Sequence, residues 1–318
     1  MTVRVQRRAP SRLKLVVGKA EGSLSLSDFL VRRGGLTSDS ARDVIARGGV
    51  FVDGKRLKDA QSVLRANQTV EAQLTERGEA PSQDVSLPAS AILKLDRSLV
   101  AVDKPVGVLA QEGRAGGTSL PELTAKLLAS RGEAATALLV HRLDRGTTGV
   151  TLLARTAEAQ THLLEQFRLG KVRKEYVTLV QGVPAQDRFS CSLALGADPH
   201  TQGKRKIDPQ GETAHTDFEV IERFASMTLL RARPTTGRTH QIRVHLAALS
   251  HPLLGDVRYG GPTQHTRSDG ARREFTRPLL HALSLECAHP DGGRLRVQAP
   301  EPHDLLDVCA FLREKPKP

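Results

Sequence analysis

The sequence predicts an α+β protein: a small N-terminal α/β domain followed by a larger domain built on a mixed, mainly antiparallel sheet. Beyond residue 90 the strand candidates come in hairpin-like pairs rather than in strict alternation with helices, which favours a mixed or antiparallel sheet over a doubly wound parallel one. The stretch 76–90, ERGEAPSQDVSLPAS, carries two prolines, several small polar residues and no hydrophobic period, as expected of a linker between separately folded parts. At 318 residues, 39% of them hydrophobic, the chain is long enough to fill both cores.

Residues 1–22, with Arg4, Arg7, Arg8, Arg12 and Lys14, read as a basic tail that lacks the apolar centre of a signal peptide. From Leu24 the period becomes helical: Leu26, Phe29 and Leu30 share a face, and Arg32 and Arg33 close the helix before Gly34-Gly35. Ser40-Ala-Arg-Asp43 has the capping-box form and predicts the start of a second helix that buries Val44 and Ile45 and ends at Gly48-Gly49. Residues 50–55 read as a strand running into the Asp53-Gly54 turn, and 68–74 as its partner, so the small domain is placed at 23–75. Over 91–318, strands are predicted near 98–103, 137–141, 149–154, 173–181, 215–222, 226–233 and 281–288, and helices at 156–169, 239–249 and 303–313. The polar, arginine-containing stretch 263–276 fits no element.

Lys and Arg outnumber Asp and Glu by 47 to 35, a net charge of +12, which points to a polyanionic partner, nucleic acid first. The three cysteines at 191, 287 and 309 are odd in number and widely spaced, which fits neither a disulfide framework nor a zinc knuckle and predicts a reducing, cytoplasmic setting. No apolar run is long enough to span a membrane.

The segment 141–149, HRLDRGTTG, lies between two apolar runs and crowds an acid between Arg142 and Arg145. The neighbouring cations favour an ionised Asp144, suited to act as a nucleophile or counter-ion rather than a proton donor. Gly146 and Gly149 allow the loop to turn sharply and a partner to come close. Spacing alone leaves a structural salt bridge equally open. Three further segments alter that balance: LVAVDKPVG at 99–107, RKEYVTLV at 173–180, and GRTHQIRVHL at 237–246 running on to HPLLGD at 251–256 and Tyr259-Gly260.

In order and kind these motifs resemble the RluA-type pseudouridine synthases over about residues 98–290, and residues 23–75 resemble the alpha-L RNA-binding domain found in a ribosomal small-subunit protein and several RNA-modifying enzymes. The resemblance implies isomerisation of uridine to pseudouridine in RNA, with Asp144 as nucleophile, Tyr176 as the active-site tyrosine and Arg243 as the arginine paired with the nucleophile, Arg238 being the other claimant. It makes Arg142 the residue that fills the gap left by a flipped nucleotide, and it places Arg32, Arg33, Arg42, Arg47 and a turn residue, Lys55, against RNA. Gly146, where an acidic residue is common, and Thr148, where serine is usual, depart from the pattern.

The implied reaction breaks the bond from ribose to a base nitrogen and joins ribose to a carbon of the same base, with no oxidation and no water consumed. No cofactor and no metal are therefore expected. A carboxylate can attack the ribose or the pyrimidine, or promote elimination, and all three remain open. The Tyr176 ring can lie against uracil, and its hydroxyl can help remove the carbon-bound proton. Unpaired RNA loops, where flipping costs least, are the expected targets; ribosomal RNA is favoured, transfer RNA stays open, and a monomer is expected because the RNA supplies the extended surface. His240 and His245, five residues apart, do not share a helical face as a zinc pair would, and a structural role is expected of both; His141 is expected to order the loop. The competing readings are a non-catalytic RNA-binding ribosome assembly protein and, ranked below it, a hydrolase pairing Asp103 with Asp144.

Overall fold

A computed structural model describes residues 12–46, 48–73, 86–111, 119–199, 201 and 203–314 of the chain. It divides into two compact units, residues 1–86 with 111–119, and 87–110 with 120–318.

The first unit contains β1 (Arg12–Val16), α1 (Leu26–Gly34), α2 (Ser38–Ala46), β2 (Val50–Val52), β3 (Lys55–Leu57) and β4 (Thr69–Gln73), with its strands in the order β1-β4-β2-β3. Both helices bury their apolar stripe, Leu26, Phe29 and Leu30 from α1 and Ala41, Val44 and Ile45 from α2, against Val50, Val52, Val70 and Ala72 of the sheet. Three expectations need correction. Residues 12–16, read as tail, form β1, paired antiparallel with β4, and Lys14 reaches Glu71 at 3.1 Å; the alternation of Leu13 and Leu15 with charged neighbours had the strand period. Helix α2 begins before Ser40, because Thr37 accepts the Ser40 N–H at 3.2 Å and its carbonyl accepts that of Ala41 at 2.9 Å, so the upstream hydroxyl caps an additional turn. Lys55 opens β3 rather than sitting in the turn, which Asp53 and Gly54 complete with left-handed φ of 49° and 78°.

The second unit is organised around β5 (Ile92–Leu95), β6 (Leu99–Lys104), α3 (Leu120–Ser130), β7 (Leu138–Leu139), β8 (Thr148–Ala154), α4 (Ala157–Arg168), β9 (Arg173–Gln181), β10 (Arg188–Cys191), β11 (Leu195–Ala197), β12 (Arg205–Ile207), β13 (Thr216–Arg223), β14 (Met227–Pro234), α5 (Gln241–Ala248), β15 (Gln264–Thr266), β16 (Arg272–Glu274), β17 (Leu280–Ala288), β18 (Arg294–Gln298) and α6 (His303–Arg313). Its main sheet has ten strands, running β10-β13-β14-β9-β17-β8-β6-β5 with β18 beside β17 and β7 beside β8. Every pairing is antiparallel except β17 with β8. The predicted mixed, mainly antiparallel architecture is the one observed. The unassigned stretch 263–276 contains the β15–β16 hairpin, whose Arg267 is fixed by Asp269 at 2.8 Å and stacks over Phe311 of α6 at 4.6 Å.

Strand alternation decides which side chains reach the site. On β9, Val177 and Leu179 face the core closed by Leu305, Val308 and Cys309 of α6. Tyr176 and Val180 point the other way, into the core that Ile242 and Leu246 of α5 complete. Helix α5 therefore sits on the same face of the sheet as Tyr176.

Candidate active site

The loop that joins β7 to β8 is fastened from three directions. Asp144 and Thr147 close a turn through Thr147 N–H to Asp144 carbonyl, 3.1 Å. Gly107 of the DKPVG turn donates its N–H to Arg145 carbonyl at 3.0 Å, and Arg145 Nε donates back to Gly107 carbonyl at 3.0 Å. The fully buried Lys104 Nζ donates to the carbonyls of Pro105, Val108 and Arg145 at 3.0, 2.9 and 3.3 Å. Arg277 adds a bond from Nη1 to Gly146 carbonyl at 3.2 Å while Asp304 holds it bidentately. The DKPVG motif thus clamps the acid-bearing loop, and Arg145 serves that clamp instead of pairing with Asp144 as its adjacency suggested.

The departures at 146 and 148 have local causes. A β-carbon at Gly146 would stand 3.1 Å from the Pro278 ring, so a side chain there requires that ring to give way by a few tenths of an ångström. Thr148 Oγ1 is buried and hydrogen-bonded to His281 Nδ1 at 2.9 Å. Gly149, at φ 109°, lies where the parallel strands β8 and β17 touch, and a β-carbon there would be 2.2 Å from Ala282 carbonyl oxygen. His141 Nε2 accepts the Leu152 N–H at 2.9 Å and its ring stacks on Phe167 at 4.6 Å. Burial, with Lys174 nearby, pushes that histidine down to about 3, so it stays neutral as the acceptor role demands.

Asp144, Tyr176 and Arg243 come together in one cavity of about 590 Å³, with Arg142, Lys174 and His240 also on its wall. Arg243 Nη1 donates to Asp144 Oδ2 at 3.1 Å. The rest of the guanidinium is gripped by the buried Asp256, Nε to Oδ2 at 2.6 Å and Nη2 to Oδ1 at 2.7 Å, and stacks over the Tyr259 ring at 5.0 Å. Burial opposes the charge on Arg243, but Asp256 and then Asp144 outweigh it and hold its pKa above the usual value. Burial first, then the charge of Asp144, raise the Tyr176 phenol above its ordinary range. Lys174 donates to Thr236 carbonyl at 2.7 Å and is lowered to about 8 by burial.

Arg238, the other claimant for the nucleophile, pairs instead with Glu212 at 2.9 Å. Arg142 is exposed and makes no ion pair among the described residues. Asp103 is absent from the cavity wall and is held by a backbone hydrogen bond from Gly149, so the two-carboxylate pairing is not formed. His245 is buried between Thr216 Oγ1 at 3.0 Å and Leu193 carbonyl at 2.9 Å, the structural setting expected. His240 departs from that expectation: its Nε2 lies 3.8 Å from Asp144 Oδ2. Asp256 and Tyr259 join the site without a role that the sequence assigned them; the available signal is their place in HPLLGD and YG, 13 and 16 residues after Arg243.

In the first unit Arg32, Arg33, Arg42 and Lys55 are all exposed, with Arg33 paired to Glu21 at 3.3 Å, and Arg47 lies outside the described residues. Among the described residues the one acid–histidine group compact enough for a metal, Asp96, His289 and Asp291, is satisfied internally: His289 Nε2 meets Asp96 at 3.0 Å and Nδ1 accepts the Asp291 N–H at 3.1 Å. The three cysteines are buried and unpaired, and no helix of the described residues is long and apolar enough to cross a membrane.

Residues 98–248 match the family described as RNA pseudouridylate synthase. The protein named ribosomal large subunit pseudouridine synthase D from Xanthomonas campestris pv. campestris is 35% identical over 278 residues, 85% of this chain and 83% of that one. Its namesake from Vibrio cholerae serotype O1 is 32% identical over 286 residues, 87% of each. Among solved structures, human RNA pseudouridylate synthase domain containing 1 superposes with a TM-score of 0.54 at 25% identity, covering 74% of this chain and all of that one. The sequence relatives, nearly full-length on both sides, and the shared fold agree with the motif order. The chain is an enzyme and belongs to the RNA pseudouridylate synthase family.

Proposed function

We propose that this synthase isomerises uridine in large-subunit ribosomal RNA, with Asp144 as its nucleophile. The observation that carries the reading is the Asp144–Arg243 contact of 3.1 Å inside a cavity that Tyr176 also lines. A guanidinium already fixed by Asp256 offers one remaining edge, and that edge aims the carboxylate into the cavity as a preset charge. A space of about 590 Å³ fits one nucleotide, which RNA delivers by flipping it out of the stack. The N1–C1′ bond breaks, the base turns, C5 bonds to C1′, the proton on C5 leaves and N1 gains one, so the atoms balance without a cofactor. Tyr176, kept protonated by burial and by the nearby carboxylate, supplies a wall against the uracil and excludes water.

Arg142, an exposed cation at the cavity wall with no ion-pair partner among the described residues, suits the gap that the flipped nucleotide vacates. The exposed Arg32, Arg33, Arg42 and Lys55 of the small unit, together with Arg47, suit RNA phosphates, the contacts expected of an alpha-L module. Large-subunit RNA is favoured because both relatives above carry it in their names. We expect Asp144→Asn to abolish pseudouridine formation on transcribed large-subunit RNA while leaving RNA affinity nearly intact, since phosphate contacts drive binding. Full activity of that variant would refute the assignment.

A further inference from the structure

His240 is the cavity group whose geometry the reaction as described leaves unexplained. It carries left-handed backbone, φ 58° and ψ 17°, at the residue that turns the chain into α5, a conformation a side-chain-bearing residue keeps only when its surroundings enforce it. The side chain is 12% exposed and its Nε2 lies 3.8 Å from Asp144 Oδ2. Its Nδ1 lies 2.7 Å from the Tyr259 hydroxyl. That hydroxyl oxygen already accepts the Arg205 N–H at 2.9 Å, which leaves its proton and one lone pair to meet His240. With the hydroxyl donating, Nδ1 holds the lone pair, and the single ring proton of the neutral imidazole sits on Nε2, facing Asp144.

The groups around the ring favour that state. Asp144 comes from the β7–β8 loop, Arg243 from α5, and Asp256, Arg258 and Tyr259 from the segment after α5; burial and the two arginines outweigh the two carboxylates and bring the imidazole down to about 4. A charged ring would neutralise the carboxylate it faces. The opposite tautomer would turn a lone pair on it.

We propose that His240 is a positioning residue, locked by Tyr259 as the neutral Nε2–H tautomer so that it points an uncharged donor at Asp144 Oδ2 and completes the aim begun by Arg243. The inference rests on the reading of Asp144 as nucleophile. At 3.8 Å the donor is poised rather than bonded, and a closure of about 0.8 Å as the nucleotide fills the cavity makes the bond.

The test uses the full chain labelled with ¹⁵N-histidine, with His240→Gln identifying its resonances among the eleven histidines. Long-range ¹H–¹⁵N correlation should show a neutral Nε2–H ring from about pH 5 to pH 8. In Tyr259→Phe the lock is lost and the ring should average both tautomers, while burial and the two arginines still keep it neutral at about pH 7. Single-turnover conversion of transcribed large-subunit RNA should then slow roughly 10- to 100-fold with KM changed less than about threefold. A merely structural Tyr259 would not move tautomer and rate together while leaving KM nearly unchanged. An Nδ1–H or charged ring in the unaltered chain at neutral pH overturns the proposal, as does a Tyr259→Phe chain with altered tautomer but unaltered rate. The tautomer is read without the reaction, so a locked Nε2–H ring beside a fully active Asp144→Asn would sink the nucleophile reading and leave the lock standing.

Discussion

At the scale of single residues, Arg243 makes bonds that no other side chain can make together. It uses one guanidinium edge for Asp256 and another nitrogen for Asp144, in a site where only 10% of its side chain is exposed. Lysine keeps the charge but concentrates it at one nitrogen on a flexible stem, which cannot grip Asp256 with two parallel bonds and still reach Asp144. We therefore expect Arg243→Lys to fold, because the buried carboxylates keep a cation, and to lose roughly 100-fold or more in single-turnover rate through misplacement of Asp144. A variant within twofold of the parent rate would show that charge alone, not its geometry, serves the site. The same logic explains why adjacency in sequence misled: Arg142 and Arg145 flank the acid along the chain, yet the cation that touches it comes from a residue 99 positions away.

At the scale of elements, the parallel contact of β8 with β17 sets the position of the acid-bearing loop, and Gly149 is what permits it. With φ 109° and the Ala282 carbonyl in the place a β-carbon would take, Gly149→Ala must either separate the strands or distort them. We expect a loss of about 3 kcal/mol or more in urea-induced unfolding; an unchanged midpoint would mean that the two strands can part freely there. How much of this was legible differs by element. Strands β9, β13, β14 and β17 and helices α4 and α6 stand within about a residue or two of where periodicity puts them, because each has a long one-sided apolar pattern. Strands β3, β10, β11, β12, β15 and β16 have three or four residues each, too few to display a period. Of the candidate site, Asp144, Tyr176 and Arg243 were readable from motifs. The roles of Lys104 and Tyr259 were not, since they depend on carbonyls and hydroxyls that only the folded chain brings within reach.

At the scale of the whole molecule, the excess of basic over acidic residues, +12, has to be divided between chemistry and binding. In the second unit many arginines are spent on ion pairs: Arg231 and Arg233 share Glu175 and Glu219, Arg223 holds Asp187, Arg313 holds Glu222, and Arg277 holds Asp304. In the first unit Arg32 and Arg42 are exposed and Arg33 has one partly exposed partner, so these side chains are available to a polyanion. If they grip RNA phosphates, each contact releases bound counter-ions, and affinity must fall steeply with salt. Replacing Arg32, Arg33 and Arg42 together with alanine in the full chain should flatten the slope of log affinity against log salt by about 2 to 3 units for transcribed large-subunit RNA. Single-turnover conversion at saturating enzyme should stay near the parent value, because none of the three lines the cavity. Filter binding between about 50 and 200 mM salt measures the slope directly. An unaltered slope would assign the RNA contacts elsewhere, whereas a flattened slope with conversion intact would separate the unit that holds the RNA from the unit that turns the base.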